Sequence, residues 1–142
     1  MVDVGAKSPS ERRAVAAGRV QLSPAAVSAI GTGSVAKGDV LTVARIAGIG
    51  GAKRTSELIP LCHPLRLTGI DVEATVVADG VELTASVRTH DRTGVEMEAL
   101  TAVAVAGLTV IDMVKAIDPA AVITDVRVLT KAGGASGDWA RP

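Results

Sequence analysis

The sequence predicts an α+β sandwich in which one layer of helices covers one face of an antiparallel sheet. In some stretches apolar residues alternate at period two, which is typical of half-buried strands, and in others they recur at helical spacing. Read along the chain, these stretches give a strand, helices, a strand, its hairpin partner, a long helix and a last strand. This order is the β-α-β-β-α-β pattern of a ferredoxin-like fold. One helical layer leaves the other sheet face to be covered, and in so apolar a chain we expect subunit association to cover it.

The first strand and the first helix are predicted within residues 13–30. Residues 13–23 alternate loosely between apolar and polar side chains, which favours a strand. Ser23 followed by Pro24 is a favourable N-cap and first-turn pair. We expect the helix that they open to run through Ile30 and to end at the glycines of residues 31–33.

A second helical region is predicted over residues 40–59, after the polar turn SVAKGD. Its apolar side chains recur at helical spacing, but Gly50 and Gly51 interrupt it. Each glycine weakens a helix by about 1 kcal/mol relative to alanine. We therefore expect a bend at this glycine pair.

The middle of the chain is predicted to form a β-hairpin. Residues 66–77 place apolar side chains at every second position, and residues 81–91 repeat this alternation. Asp79 and Gly80 stand between the two stretches and form a hairpin turn signal.

A long helix and a final strand are predicted in the last third of the chain. The helix covers residues 94–117, and its middle, residues 99–111, is the longest apolar stretch of the sequence. This stretch is shorter than the roughly 18 to 20 residues that a membrane span needs, so we expect a helix buried in protein and no membrane association. Pro119 closes the region, and residues 121–131 alternate as the last strand.

Composition limits the classes of function. The chain has 142 residues, enough for one domain spanning residues 1–142, with residues 1–10 and 132–142 expected to be loosely held. Its 15 basic and 15 acidic residues give a net charge of zero and only 1% of residues are aromatic, which argues against a nucleic-acid binder. A single cysteine and a polar N-terminus without a visible signal peptide predict a cytoplasmic protein.

The stretch ELIPLCHPL, residues 57–65, places the only cysteine beside one of two histidines. Pro60 and Pro64 remove backbone donors and favour extended geometry, so we expect a stiff, buried connection that is neither regular helix nor central strand. Cys62 and His63 are presented in one direction, which fits either core packing or a substrate-facing role. Two ligands are too few for a structural zinc site.

The predicted long helix carries charged residues only near its ends. Glu98, Asp112 and Lys115 share one side of the helix, whereas Glu96 is turned about 160° away from Asp112. Acids at a helix start and a lysine at its end also complement the helix dipole, so a purely structural role is the alternative. Glu98 and Asp112 are about 21 Å apart along the axis, too far for one reaction centre within one subunit. If both are functional, an antiparallel second copy must form a composite site at a two-fold interface.

Glycine-rich stretches with a lysine occur at residues 31–39, 48–55 and 131–139. None matches the phosphate-binding P-loop or the dinucleotide fingerprint, so turns and close packing are favoured over nucleotide binding for the first two stretches, and a frayed terminus for the third.

Two long segments, read together, carry a family resemblance. KGDVLTVARIAGIGGAKRTSELIPLCHPL and TGVEMEALTAVAVAGLTVIDMVKAID, supported by MVDV and LTKAGGASGDW, closely resemble the molybdenum cofactor biosynthesis protein C family, the cyclic pyranopterin monophosphate synthases. The resemblance implies a ferredoxin-like fold, a homohexamer built as a trimer of dimers, and active sites between subunits. It implies a lyase reaction that converts (8S)-3′,8-cyclo-7,8-dihydroguanosine 5′-triphosphate into cyclic pyranopterin monophosphate and diphosphate.

The resemblance also assigns site residues and partners. The expected catalytic residues are Lys37, His63, Asp112 and Lys115. The expected substrate-binding residues are Leu61, Cys62, His63, Met97 and Glu98. From their charge rather than from the resemblance, Lys53, Arg54 and Lys131 are expected to add substrate contacts, because a triphosphate needs fixed cations. The expected partner is a small GTP-derived substrate, and no metal site or resident cofactor is expected, although Mg²⁺ accompanying the triphosphate is left open.

Three positions depart from the family pattern. Gly51 replaces a usual alanine, Ile111 replaces an aromatic residue, and Ala135 replaces a lysine or arginine of the tail. Loss of the tail cation is the one feature that favours the alternative, a non-catalytic purine-nucleotide-binding oligomer of the same fold.

Overall fold

The computed structural model describes residues 1–142 as one sheet with helices on one face. The elements are β1 (Ser10–Gln21), α1 (Pro24–Thr32), α2 (Val40–Lys53), α3 (Thr55–Leu58), β2 (Leu67–Val77), β3 (Gly80–Asp91), α4 (Glu96–Val114), β4 (Val122–Ala132) and β5 (Trp139–Ala140). Neighbouring strands are antiparallel, in the order β2-β3-β1-β4-β5. The predicted ferredoxin-like α+β fold is confirmed.

The two faces of the sheet differ in chemistry because side chains alternate along each strand. On β3, Val81, Leu83 and Val87 point toward the helices and are buried. The intervening positions of β3 carry Glu82, Thr84, Ser86, Arg88 and His90, which are exposed or half-buried. The outer face is therefore largely polar, and its composition does not require the apolar cover that the sequence led us to expect.

The first helix begins and ends where its caps predict. The Ser23 hydroxyl accepts a hydrogen bond from the Ala26 backbone N–H, and Pro24 occupies the first turn. Gly33 ends the helix with a left-handed φ of 69°, which glycine adopts without steric cost. Asp118 ties this corner to the far end of the chain, because its Oδ2 accepts from the Ser23 N–H at 2.6 Å.

The helix α2 continues through Gly50 and Gly51, where a bend was predicted, and the helical region is interrupted at Arg54. Glycines in this helix serve close packing against α4 instead. A Cβ added at Gly48 would lie 2.9 Å from the carbonyl oxygen of Ala102, and one at Gly51 would lie 2.8 Å from Val105 Cγ2.

The long helix forms the centre of the core. It is shorter than predicted, Glu96–Val114 rather than residues 94–117, but ten of its residues are buried. By length and composition it would be able to cross a membrane, with a mean hydropathy of 1.7, yet 56% of that stretch is buried inside the protein. It packs against α2 and the sheet, as expected of a core helix.

The C-terminal tail contains a strand that the sequence did not predict. Trp139–Ala140 pairs with β4, and Arg141 donates from Nε to the Val128 carbonyl oxygen at 2.8 Å. The Arg141 guanidinium also lies 5.6 Å from the Trp139 ring centroid. A strand of two residues has no periodicity from which to predict it.

Two glycine substitutions in α2 test the packing argument. Both Gly48→Ala and Gly50→Ala gain up to about 1 kcal/mol of helix propensity. A Cβ at Gly50 meets nothing within 4 Å, so Gly50→Ala should raise the free energy of unfolding. Gly48→Ala should lower it by about 1–2 kcal/mol, because the methyl group meets a backbone oxygen that cannot move aside. Urea denaturation of both variants measures this, and equal effects would contradict the close α2–α4 contact.

Candidate functional site

The ELIPLCHPL stretch leads from α3 into β2. Residues 62–66 belong to no helix or strand, and a turn closes where the Cys62 N–H donates to the Ile59 carbonyl oxygen at 3.1 Å. The predicted irregular conformation is confirmed, but the predicted burial is wrong. Leu61 is 70% exposed, and Cys62 and His63 are half-buried. In one subunit the segment forms a cavity wall open to solvent, since no element packs over it.

That wall and the start of α4 enclose a cavity of about 300 Å³. All five substrate-binding residues predicted around it line it: Leu61, Cys62, His63, Met97 and Glu98. Two further residues, Thr93 and Glu96, complete its polar wall. From its angle around the helix axis, we expected Glu96 to lie on a different side from Glu98. Its side chain still reaches the cavity, because Glu96 is in the first turn, at the end of the helix.

Glu98 is the unusual charge in this cavity. It is only 4% exposed, and its Oε2 has no hydrogen-bond partner. Burial raises the pKa of Glu98, with a smaller contribution from the negative charge of Glu96. A carboxyl group with a raised pKa is better suited to general acid catalysis than an ordinary carboxylate.

Cys62 stays a thiol in this setting. Burial raises its pKa first, and the charge of Glu98 raises it further. Because the thiolate is the nucleophilic form, Cys62 is better suited to shaping the cavity than to attacking a substrate.

A second group of charges lies at the other end of α4. Lys115 Nζ lies 2.8 Å from Asp112 Oδ1, and Lys37 Nζ lies 2.7 Å from Asp112 Oδ2. Lys37 also donates to the Asp112 carbonyl oxygen at 3.0 Å, which anchors the loop before α2 to the end of α4. Hydrogen bonds from Lys115 and then Lys37 lower the pKa of Asp112 to about 2. The predicted catalytic residues Lys37, Asp112 and Lys115 therefore form one exposed, net-cationic cluster.

The fourth predicted catalytic residue, His63, does not join this cluster. It lines the first cavity beside Glu98. Fourteen residues of straight helix separate Glu98 from Asp112, which places them about 21 Å apart along the axis. One subunit thus holds two half-sites, an acidic cavity and a cationic cluster.

The three remaining predicted phosphate-binding residues, Lys131, Lys53 and Arg54, lie in two different parts of the structure. Lys131 Nζ lies 3.5 Å from Glu96 Oε1 and 3.0 Å from the Ser136 hydroxyl, so it contacts one residue of the first cavity without lining the cavity itself. Lys53 and Arg54 line a separate cavity of about 510 Å³ with Leu58.

Sequence reasoning also missed Arg12. Its guanidinium lies against Gly134, where no side chain would fit. Arg12 thereby contacts the same tail loop that holds Lys131 and Ser136, bringing a second cation to that loop. Only the pairing of β1 with β4 creates this neighbourhood, and no local motif announces it. No group of three or more His, Cys, Asp or Glu side chains converges as metal ligands would.

Comparison with known proteins places this chain among close relatives. The MoaC family model matches residues 1–134. The cyclic pyranopterin monophosphate synthase of Streptomyces coelicolor is 62% identical over 141 residues, covering 99% of this chain and 83% of that protein. The proteins named cyclic pyranopterin monophosphate synthase 2 in Mycobacterium bovis and cyclic pyranopterin monophosphate synthase in Rhodospirillum rubrum are each 59% identical, covering 99% and 98% of this chain and 84% and 85% of their own lengths. A family match over nearly the whole length, with relatives this similar, leaves one conclusion: the chain belongs to the MoaC family.

Proposed function

We infer that this protein is a cyclic pyranopterin monophosphate synthase, a lyase of molybdenum cofactor biosynthesis. The observation that carries this inference is identity of about 60% along the whole chain to relatives of that name. Two groupings support it: Leu61, Cys62, His63, Met97 and Glu98 line one cavity, and Lys37, Asp112 and Lys115 form one cluster. Lys53 and Arg54 lie apart from both.

The substrate we propose is (8S)-3′,8-cyclo-7,8-dihydroguanosine 5′-triphosphate, and the products are cyclic pyranopterin monophosphate and diphosphate. The cavity of about 300 Å³ is large enough for a bicyclic ring system. Its two carboxylates, Glu96 and Glu98, make it a poor place for phosphate groups. The ring system therefore belongs in the cavity and the phosphates belong outside it, near fixed cations.

Rearrangement of a carbon–nitrogen skeleton needs groups that give and take protons. Glu98 is suited to exchanging a proton, because its burial raises the pKa of the carboxyl group above its ordinary value. His63 lines the same cavity, and an imidazole is able both to accept and to donate a proton. Asp112 is suited to staying ionised and holding Lys37 and Lys115 in place.

A complete site requires a second copy of the chain. Within one subunit the cationic cluster cannot reach the acidic cavity across about 21 Å of helix. An antiparallel dimer would set the acidic end of one α4 beside the cationic end of the other, which is favourable in charge. Leu108 lies between the two ends and is 60% exposed, and an apolar contact there would be buried by such docking. We propose that the protein works as a homohexamer of three such dimers in the cytoplasm, with Mg²⁺ as an optional companion of the triphosphate.

A non-catalytic nucleotide-binding oligomer is the rival function. Ala135 replaces the family's tail cation, but two other cations contact the residues on either side of it: Lys131 contacts Ser136, and Arg12 lies against Gly134. Cations therefore remain at the tail, and the rival loses its one supporting feature. Release of diphosphate from the cyclic substrate separates the two functions.

The cationic cluster is tested by Lys115→Ala and Asp112→Asn. Each should lower kcat by about 10²- to 10⁴-fold, because each removes a charged group expected to act in the reaction. The measurement is diphosphate release from the cyclic substrate, with size-exclusion chromatography to show that the oligomer is intact. Asp71→Asn is the matched control, since Asp71 is an exposed aspartate paired with Arg88 away from both half-sites. Normal turnover in both test variants would refute the assignment.

Glu98→Gln should be more stable and less active than the unmodified protein. A raised pKa in the folded state means that the stability contributed by protonated Glu98 is lost as pH rises through that pKa. At neutral pH the amide avoids this cost, so the free energy of unfolding should rise by about 0.5–2 kcal/mol and lose part of its pH dependence. Thermal denaturation from pH 5 to 8 measures both effects.

Glu73→Gln serves as the control for this experiment, because Glu73 is exposed on β2. It should change neither stability nor turnover. A Glu98→Gln variant that is less stable at every pH would contradict the inferred protonation of the buried carboxyl.

A further inference from the structure

One wall of the first cavity is attached to the rest of the fold by a single hydrogen bond. Residues 63–66 belong to no helix or strand, and none of their backbone groups pairs with another backbone group. The Arg66 carbonyl oxygen instead accepts a hydrogen bond from the Thr89 hydroxyl at 2.6 Å. Leu65 also packs against the core, but apolar contact is not directional. The Thr89–Arg66 bond is therefore the only hydrogen bond that fixes the direction of this stretch.

Thr89 is a polar residue at the end of an apolar row. It is fully buried, and the other inward-facing side chains of β3 are Val81, Leu83, Ala85 and Val87. Valine has the same shape as threonine and would continue this row, whereas a buried hydroxyl without a partner is costly. The hydroxyl adds nothing to the apolar core, so its contribution to the fold is the bond to Arg66.

The strand pairing next to this bond is irregular. Leu67 and Thr89 are the first pair of the β2–β3 ladder, but the register shifts between Leu67 and Gly69. Such a shift locally disrupts the ladder and leaves a residue unpaired. The backbone ladder therefore holds the start of β2 weakly, and the Thr89 hydroxyl adds a link one residue before the ladder begins.

The Thr89–Arg66 bond joins the two chain segments that line the first cavity. These segments lie within residues 61–65 and 93–98. Arg66 directly follows the first segment, and Thr89 lies four residues before the second. Because the second segment enters the buried helix α4, the bond limits how far the first segment can move relative to it.

We propose that Thr89 is a positioning residue for the reaction, whose hydroxyl holds the segment with Cys62 and His63 in place beside the segment with Glu98. The proposal rests on the proposed function for the identity of the reaction. Thr89 does not line the cavity and acts through the Arg66 carbonyl oxygen. Without the hydroxyl, the substrate has to order this wall when it binds, which weakens binding.

Alkylation of Cys62 by iodoacetamide tests the Thr89–Arg66 bond without any turnover. Cys62 is the only cysteine and is half-buried in this wall, so its reaction rate reports how freely the wall opens. Thr89→Val keeps the shape of the side chain and removes the hydroxyl, and it should react about two- to tenfold faster, as expected for the loss of one hydrogen bond. Thr89→Ser keeps the hydroxyl and should react as the unmodified protein does.

Thr109→Val is the matched control. The Thr109 hydroxyl also donates to a backbone carbonyl oxygen, that of Val105 at 2.8 Å, but within α4 and 12 residues from Met97. This variant should change neither the alkylation rate nor the KM. Thermal denaturation shows that each variant is folded. Thr89→Ala, which should react at least as fast as the valine variant, takes its place if Thr89→Val does not fold.

Turnover separates positioning from a general loss of structure. Loss of folded protein would lower the apparent kcat at an unchanged KM, whereas a loosened wall should raise the KM of Thr89→Val for the cyclic substrate about two- to tenfold, with recovery in Thr89→Ser. An unchanged alkylation rate or KM in Thr89→Val, an equal effect in Thr109→Val, or no recovery in Thr89→Ser would overturn the role of Thr89. Absence of turnover in the unmodified protein would instead overturn the proposed function, and the alkylation rates would still decide whether the bond holds the wall.

Discussion

The rigidity of α4 is the constraint on which the site depends. Its 19 residues run through the core with ten of them buried, so neither end is free to move toward the other. Small residues make this possible: α2 approaches so closely at Gly48 that a methyl group would meet the backbone of α4. The helix therefore acts as a fixed spacer that keeps Glu98 and Asp112 about 21 Å apart. Chemistry that needs both groups must take one of them from another copy.

The pKa values of two carboxyl groups on this helix are shifted in opposite directions. Glu98 has an oxygen without a partner in a buried setting, and its pKa rises. Asp112 is exposed between two ammonium groups, and its pKa falls to about 2. Pairs of titratable groups whose environments separate their pKa values commonly take opposite acid and base roles. Here the separation in pKa coincides with a separation in space, so a dimer interface would join a proton donor to a fixed anion and its cations.

Features with a local physical cause were predictable from the sequence. Alternation at period two located the four main strands, and Ser23 and Pro24 fixed the start of α1. The residues that line the first cavity and form the cationic cluster were also named from the sequence, because the segments that carry them are long and unusual.

Features that depend on packing were not predictable. Gly50 and Gly51 weaken a helix in isolation, but α2 continues through both residues and packs against α4 at Gly51. The apolar character of the LCHPL stretch predicted burial, whereas the fold leaves Leu61 exposed beside a cavity. Such features exist only after the chain has folded.

Complementation between inactive variants tests the shared site most directly. Glu98→Gln and Asp112→Asn chains, unfolded together and refolded as mixed oligomers, should recover about a quarter of the unmodified activity, because each mixed dimer contains one site with both native ends. Asp112→Asn mixed with Lys115→Ala should recover none, since both changes fall in the same half-site. No recovery in the first mixture, or full turnover by an isolated monomer, would contradict the account.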